Sequence, residues 1–355
     1  MINGQFERST MMKSLHFTVC LLWLFAACQR GGSSEKGDKD QLNSHPVGMA
    51  WIAGGEFTMG CNEKNCTQDA MVPHRVKVDG FWIDETEVTN AQFRKFVEET
   101  KYITVAERAV DWEELKKQTQ PGTPKPADEE LLPGSLVFTP PSGVVQLNDY
   151  SQWWSWVTGA NWRNPQGPHS TIEGKDNYPV VQIAYEDAQT FAKWAGKSLP
   201  TEAQFEFAAR GGLNEKIFSW GEELNPQGKY MANYFQGSFP NHNTAEDGFE
   251  GSSPVKSFPP NGYGVYDMIG NVWELCSDWY SVELKLTPGI PVLNPAGPTS
   301  TQDPNDPYAI KHVSKGGSFL CSVQYCSNYK PSGRQSSAFD SGMNNTGFRC
   351  IKPIR

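Results

Sequence analysis

Cys321 and Cys326, near the C-terminal end of the chain, have a residue type and a spacing that suit metal and redox chemistry. Thiolate sulfur is a soft ligand, and two thiolates held close together favour Cu(I), a metal that carries out one-electron and O2 chemistry. Paired cysteines in an oxidising compartment also commonly form disulfides. The spacing therefore predicts either a copper site or a disulfide across a four-residue loop, and it does not choose between them.

Residues 1–27 have the character of a targeting signal rather than of a folded element. They contain a short apolar run, and small residues stand directly before Cys28. This pattern is typical of a bacterial lipoprotein signal, in which Cys28 carries a lipid anchor; an ordinary cleaved secretory signal is the alternative. Translation from Met11 or Met12 would fit the pattern better than translation from Met1. Either signal predicts a domain outside the cytoplasm, and the lipoprotein signal predicts a membrane-anchored protein of the cell envelope that faces the periplasm.

Composition favours a globular domain behind a flexible tether. Residues 28–46 are polar, include Gly and Ser, and lack apolar periodicity, so they predict the tether, and residues 47–355 form the domain. The 33 Gly and 25 Pro favour a loop-rich fold, and the 12 Trp suit a packed core. A net charge of −9 without any basic stripe argues against sequence-independent nucleic acid binding.

Short periodic segments predict a single α+β domain with modest regular secondary structure. Strands are expected at residues 49–52, 54–60 and 74–83. Helices are expected after a capping box that begins at Thr89, over residues 186–195, and from a second box at Thr201 to Arg210. The charged, Pro-rich residues 103–147 predict a surface excursion with at most one helix.

The remaining cysteines divide into one expected pair and two open cases. Cys61 and Cys66 bracket a polar loop, and in an oxidising compartment we expect them to pair with each other. Cys276 and Cys350 have no assigned partner, and the sequence leaves open whether they pair.

Several segments in order resemble the formylglycine-generating enzymes, also called sulfatase-modifying factors. They are GGEFTMG at 54–60, HRVKVDGFWIDETEVTNAQF at 74–93, TGANWRNPQGPHSTI at 158–172, YPVVQIAYEDAQTFAKWAGKSLPTEAQFEFAARGG at 178–212, ANYFQGSFPNHNTAEDGFEG at 232–251, SFPPNGYGVYDMIGNVWEL at 257–275, KGGSFLCSVQYC at 315–326 and NNTGFRC at 344–350. The resemblance spans residues 50–352 and implies the family's loop-rich, C-type-lectin-like fold.

The resemblance implies an oxidase that converts a cysteine in the Cys-x-Pro-x-Arg segment of unfolded client sulfatases to formylglycine. Cys321 and Cys326 would ligate Cu(I), with O2 and a thiol reductant as co-substrates. Ser318 and Trp273 are implied to line the copper and oxygen pocket. These assignments come from the family motifs KGGS and GNVWE, because a serine after two glycines and a tryptophan in a core are otherwise ordinary structural residues.

A groove for the client peptide is implied at three further residues, Tyr325, Arg334 and Asn345. Two structural calcium sites are implied as well, in keeping with the preference of Ca2+ for clustered oxygen ligands. One would use Asn233, Asp247 and the carbonyls of Tyr234 and Phe249; the other would use Asp267, Glu274 and the carbonyls of Met268, Gly270 and Val272.

The principal alternative is a non-catalytic envelope lipoprotein that uses the same fold as a binding or scaffold module. Loss of either active-site cysteine would favour that function, and both are present. An iron-dependent oxidase of the ergothioneine type is disfavoured, because the 6 His show no spacing suited to metal ligation.

Overall fold

The computed structural model describes residues 45–61, 70–282 and 290–354. The described residues from 46 to 354 form one compact unit in which short strands and long loops predominate over helices. This is the α+β, loop-rich architecture that the sequence predicted. The predicted signal and tether, residues 1–46, lie almost entirely outside the described residues, and no helix within the described part is long and apolar enough to cross a membrane.

Three of the four α-helices in the described residues begin at a side chain that accepts a hydrogen bond from a free N–H group of the first turn. Their bounds are Asn90–Thr100 (α1), Trp112–Leu115 (α2), Tyr185–Trp194 (α3) and Glu202–Ala209 (α4). At α1, Thr89 N donates to Gln92 Oε1 at 2.8 Å, and Gln92 N donates to Thr89 Oγ1 at 3.3 Å. Thr201 and Gln204 exchange the same two hydrogen bonds at α4. The capping boxes and the three longer helices are confirmed.

The strands are short and form several small sheets. They are β1 Met49–Ile52, β2 Gly55–Met59, β3 His74–Val78, β4 Phe81–Asp84, β5 Gly134–Phe138, β6 Trp154–Thr158, β7 Gly237–Ser238, β8 His242–Asn243, β9 Trp273–Trp279, β10 Val292–Leu293, β11 Lys311–Lys315, β12 Arg334–Ala338, β13 Thr346–Gly347 and β14 Ile351–Pro353. The sheet orders are β1-β4-β14, β10-β3-β2, β12-β11-β9-β13, β5-β6 and β7-β8. The four-stranded sheet, with β9 beside its edge strand β13, supports the loops of the candidate site.

Two expectations for the N-terminal half are corrected. The single strand predicted over residues 74–83 is two strands in different sheets, because the chain breaks at Gly80, where any Cβ would lie 2.5 Å from the ring of Trp51. Residues 103–147 contain not only the short α2 but also strand β5, which pairs antiparallel with β6. The charged, Pro-rich composition of these residues did not indicate strand β5, because its partner β6 follows only after a long loop.

Packing of α1 and α3 against the sheet region gives an aromatic core. Phe93 contacts Phe96, Phe191 and Phe348 with ring centroids 5.3 to 6.4 Å apart. Aromatic pairs of this kind add directional contact energy to the burial of apolar surface. Because Phe348 directly follows β13, packing in this core holds β13 in place beside the candidate site.

The described cysteines outside the candidate site differ in whether they form a disulfide bond. Cys61 is disulfide-bonded, whereas Cys66 lies outside the described residues, so their mutual pairing stays a prediction. Cys276 and Cys350 are both buried free thiols and do not pair with each other.

Candidate active site

Cys321 and Cys326 lie side by side as thiols, with their Sγ atoms 2.9 Å apart. A disulfide bond is about 2.05 Å long, so the two sulfurs are not bonded to each other. Cys321 is 1% exposed, whereas Cys326 is partly open to solvent. The backbone N–H of Ser318 lies 3.4 Å from Cys321 Sγ, and Asn328 Nδ2 lies 3.5 Å from Cys326 Sγ. Two adjacent soft sulfurs with one open side and two polar N–H groups fit a Cu(I) ion.

The loop between β11 and Cys326 depends on two glycines. Gly316 and Gly317 have φ values of 92° and 76°, which L-residues with side chains rarely adopt. A Cβ on Gly317 would lie 2.7 Å from the backbone nitrogen of Tyr329. The chain then folds so that Cys321 N donates to Ser318 O at 2.9 Å and Cys326 N donates to Ser322 O at 3.1 Å. These two turns bring the cysteines together despite the four residues between them.

An apolar cluster surrounds the sulfur pair. Cys321 packs in one cluster with Trp273, Ile269, Tyr234 and Tyr329. Burial raises the pKa of the Cys321 thiol well above its usual range, and the hydrogen bond with Cys326 raises it further. Without a bound cation Cys321 is therefore a neutral thiol at pH 7, and formation of its thiolate requires a compensating metal charge.

Ser318 and Trp273, which were implied to line the copper pocket, lie next to Cys321, and Asn345, which was implied to line the peptide groove, contacts Ser318. Asn345 Nδ2 donates to Ser318 Oγ at 3.0 Å, and that oxygen also accepts from Leu320 N at 3.3 Å. Trp273 N donates to Asn345 O at 2.8 Å, where β9 begins beside β13. Asn345 is buried and contacts Ser318, so its side chain supports the cysteine loop rather than an open groove.

Tyr325 lies on the solvent side of the pair and packs on a buried aromatic cluster that the sequence did not predict. It is 45% exposed and stacks on Phe239, with ring centroids 4.8 Å apart and planes 7° apart. Trp153 meets its edge at 5.5 Å. Phe235 and Phe319 continue the same cluster into an open groove of about 790 Å³. No local pattern joins these residues, because they come from four separate loops.

Arg334 does not lie in a groove, contrary to the prediction. It is 3% exposed, and its Nε and Nη2 donate to the two carboxylate oxygens of Glu202 at 2.8 and 3.2 Å. Its Nη1 donates to Ser281 O at 3.0 Å, and its guanidinium lies over the ring of Tyr280. The side chain therefore joins β12 to α4 inside the domain. The polar segment around Arg334 contains no local pattern that would predict a buried partner, because Glu202 lies 132 positions away in the sequence.

Replacing Arg334 by methionine is expected to lower the free energy of unfolding by about 3–5 kcal/mol, because the buried Glu202 loses its bidentate partner. The Michaelis constant for a client peptide should stay within about twofold, since Arg334 is not exposed. Urea denaturation and peptide kinetics on the purified variant measure the two effects separately. Normal stability together with weakened peptide affinity would restore the groove assignment.

The first predicted calcium site has a buried oxygen without a donor. Among the described residues no donor reaches Asn233 Oδ1. Asp247 Oδ2 accepts from Tyr234 N at 3.1 Å and from Gln236 Nε2 at 2.8 Å, and the same Gln236 nitrogen contacts Tyr234 O. Asp247 Oδ1 accepts from Phe249 N at 3.0 Å. The orphaned oxygen of Asn233 is therefore the feature here that fits a hard cation, whereas Asp247 and Tyr234 O already accept hydrogen bonds from the protein.

The second predicted calcium site differs from expectation in its carboxylates. Both oxygens of Glu274 accept from Arg349, at 2.7 Å each, so Glu274 is engaged by a buried cation of the protein itself. Asp267 is 8% exposed, and burial raises its pKa to about 6. The unpredicted Glu87 is fully buried beside them, and its pKa is raised well above the usual range by burial and by the charges of Asp267 and Glu274. An excess of buried carboxylates fits a cation here as well.

Neither calcium position is a cage of acidic side chains. Within the part of the chain that the structure describes, no three His, Cys, Asp or Glu side chains are grouped as a metal cluster. A cation at either position therefore depends on amide and main-chain oxygens in addition to carboxylates, which is ordinary for Ca2+.

Comparisons with known proteins agree with this arrangement. Residues 34–354 match the family described as the sulfatase-modifying factor enzyme 1-like domain. The formylglycine-generating enzyme of Mus musculus is 41% identical over 331 residues, which cover 92% of this chain and 81% of the mouse protein. A Bos taurus protein named inactive C-alpha-formylglycine-generating enzyme 2 is 35% identical over 311 residues, covering 87% of this chain and 89% of the bovine protein.

Among solved structures, PvdO from Pseudomonas aeruginosa matches with a TM-score of 0.54 at 23% identity, covering 86% of this chain and 94% of that one. This likeness concerns the fold alone. The family match over nearly the whole chain and the identity to the mouse enzyme confirm the resemblance seen in the sequence. The protein belongs to the sulfatase-modifying factor family.

Proposed function

We propose that this protein oxidises a cysteine in client sulfatases to formylglycine, using copper and O2. The observation that carries the proposal is the pair of adjacent cysteine sulfurs that are not bonded to each other, one buried and one partly open. A family relative named inactive exists, so membership alone does not establish activity, and the sulfur pair is the feature that favours catalysis.

The reaction balances with a reductant. The client's CH2–SH group, one O2 and two thiols give the CHO group, hydrogen sulfide, water and one disulfide. The client carbon loses a C–S bond and a hydrogen and gains a C=O bond, and O2 is reduced with electrons from the client and the two thiols. Copper held by Cys321 and Cys326 would supply the one-electron and O2 chemistry that no side chain provides.

Neighbouring residues of the protein position the sulfurs of Cys321 and Cys326 and shield their buried side from water. The Ser318 N–H and the Asn328 amide lie close enough to the sulfurs to stabilise negative charge on them. Trp273 and Tyr329 pack on the buried side and exclude water from it. The open side, at Cys326, leaves room for a client cysteine to approach next to the exposed ring of Tyr325.

Asn345 is expected to position the cysteine loop through Ser318. In Asn345→Ala the lost hydrogen bond, worth about 1–1.5 kcal/mol, should lower kcat about tenfold and leave KM for the client peptide within about twofold. Single-turnover and steady-state kinetics measure both constants, and urea denaturation checks that the variant is folded. A raised KM with normal kcat would instead assign Asn345 to the peptide groove.

Two structural calcium ions complete the proposal. They would pin the loops around residues 233–249 and 267–274, which lack a continuous hydrogen-bonding ladder. The loop 267–272 in turn supports the cysteine loop, since Gly270 N donates to Gly316 O and Phe319 N donates to Asn271 O, both at 2.8 Å.

We also propose an envelope location, with Cys28 as the lipid-bearing residue and the catalytic domain facing the periplasm. There the protein would meet clients that are exported unfolded. Labelling with radioactive palmitate tests the anchor: incorporation into the wild type and none into Cys28→Ser supports it, and equal incorporation contradicts it.

Co-expression with an exported sulfatase in a host without its own maturation system tests the function in cells. Sulfatase activity that appears with the wild type and not with a Cys321→Ser variant supports the proposal. A binding or scaffold function predicts no activity with either protein, together with capture of the sulfatase or other envelope proteins by both.

A further inference from the structure

The open groove of about 790 Å³ (the side groove) borders the aromatic cluster on which Tyr325 packs. Two loops, residues 165–179 and 240–252, supply most of its exposed lining residues. Cys321 and Cys326 do not line it, so the side groove is separate from the candidate copper site. Its buried lining residues are apolar side chains, which include Phe138, Ile172, Val181, Phe235 and Phe319.

The two loops of the side groove carry polar groups that suit a peptide main chain. The Tyr178 hydroxyl, the Gln166 Nε2 and the His242 ring make no hydrogen bond within the part of the chain that the structure describes. A hydroxyl and a neutral imidazole both donate and accept, and an amide nitrogen donates. Together these groups can pair with the N–H and C=O groups that an extended peptide leaves free.

The charges of the side groove favour a polypeptide over a phosphate-rich ligand. Among its lining residues Lys175 is the single Lys or Arg, and Glu250 is the single carboxylate. Both are exposed, and neither forms an ion pair with another described residue. A phosphate-rich ligand is bound by several cations, whereas one charge of each sign beside an apolar base fits a peptide with mixed side chains.

The side groove is within reach of a peptide bound at the sulfur pair. Tyr325 precedes Cys326 and stacks on Phe239 with ring centroids 4.8 Å apart, and the next residue, Pro240, lines the side groove. An extended chain advances about 3.3 Å per residue, so about five residues cover the path from Cys326. The Cys-x-Pro-x-Arg segment has that length, so the residues that reach the side groove are those that flank it.

We propose that the side groove binds a flanking segment of the unfolded client polypeptide in an extended conformation. Apolar client side chains pack on Phe235 and Phe319, and client main-chain groups pair with Tyr178 and Gln166. A folded sulfatase buries such apolar side chains and an unfolded one exposes them, so the side groove favours clients that have not yet folded. The inference rests on the proposed function and deepens it, because client choice then depends on residues outside the Cys-x-Pro-x-Arg segment.

The affinities of labelled peptides for the purified protein test the proposal. The short peptide carries the client segment with serine in place of its cysteine, so that it cannot be converted. Two longer peptides extend it at the N-terminal or the C-terminal end by a stretch rich in Leu, Phe and Ser. By fluorescence anisotropy we expect one extended peptide to bind at least about tenfold more tightly than the short one, because burial of one apolar side chain suffices for that change.

Two substitutions obstruct the side groove, one from each loop. Thr171→Trp and Glu250→Trp place a large ring at exposed lining positions and should abolish the advantage of the extended peptide. The affinity for the short peptide should stay within about twofold, as is usual for exposed substitutions. Glu173→Trp is the matched control and should keep the full advantage, because Glu173 is exposed on the same loop and does not line the side groove.

Equal affinities for the short and the extended peptides in the wild type overturn the proposal, and so does an advantage that both obstructing variants retain. Conversion of the cysteine-containing short peptide tests the oxidase separately. Conversion together with equal affinities overturns the side groove as a client site and keeps the oxidase. An advantage that both variants lose, without any conversion, supports the side groove as a polypeptide-binding site and overturns the oxidase.

Discussion

Replacing Cys321 by serine is expected to abolish formylglycine production, with a loss of at least about a thousandfold, while the domain stays folded. A hydroxyl is a hard and weakly acidic ligand, so the two-sulfur site that favours Cu(I) ceases to exist. The same result is expected for Cys326→Ser. Peptide conversion followed by mass spectrometry measures the loss, and an anaerobic Cu(I) competition titration measures the accompanying loss of metal.

Cys276→Ala is the matched control, because it removes a buried free thiol that lies outside the site in β9. It is expected to lower stability by about 1 kcal/mol through a small cavity and to keep more than half of the activity. Full turnover in either serine variant of the active pair would contradict the copper-dithiolate assignment. Equal losses in the serine variants and in Cys276→Ala would indicate general misfolding instead.

The second large effect is expected at Arg349. It is fully buried among Glu87, Asp267 and Glu274, and its bidentate bond to Glu274 is made at 2.7 Å on both arms. Arg349→Met leaves the carboxyl groups without their buried cation. We expect the free energy of unfolding to fall by about 3–5 kcal/mol, as for other buried pairs that lose one partner.

Urea denaturation of Arg349→Met in chelator and in millimolar calcium measures this effect. Lys256→Met is the control, because Lys256 is close to the same acidic cluster and partly exposed, and its ion pair with Glu85 should contribute less than about 1 kcal/mol. A loss below about 1 kcal/mol in Arg349→Met would show that the buried carboxyl groups need no cationic partner.

Local sequence patterns predicted the parts of this structure that depend on neighbouring residues. The capping boxes at Thr89 and Thr201 correctly gave two helix starts, because a cap is made within four residues. The strand over residues 74–83 was wrong, since its alternation is continuous but Gly80 turns the chain into a different sheet. The alternation of apolar and polar residues shows which side chains face inward. It does not show the contact of Gly80 with Trp51, at which the predicted strand is divided.

The sulfur pair and its surroundings were predictable through the family motifs. Ser318 and Trp273 lie next to Cys321, whereas Asn345 and Arg334, both implied to line the peptide groove, are buried and bonded to Ser318 and Glu202. Glu87 gave no signal, because it stands in an acidic segment that resembles a solvated surface. Its hydrogen-bond partner Asn271 is 184 positions away. Whether a charged residue is buried depends on which distant segments of the chain pack against it. The residue types in one short stretch of sequence do not reveal this.

The most direct test of the central claim is mass spectrometry of a Cys-x-Pro-x-Arg peptide incubated with the purified protein, Cu(I), a thiol reductant and O2. We predict loss of the mass corresponding to conversion of CH2–SH to CHO, and a product that reacts with a hydrazide. Omission of O2 or of copper should prevent the conversion. An unchanged peptide, with no copper bound and with Cys321 and Cys326 held as a disulfide under reductant, would contradict the oxidase function.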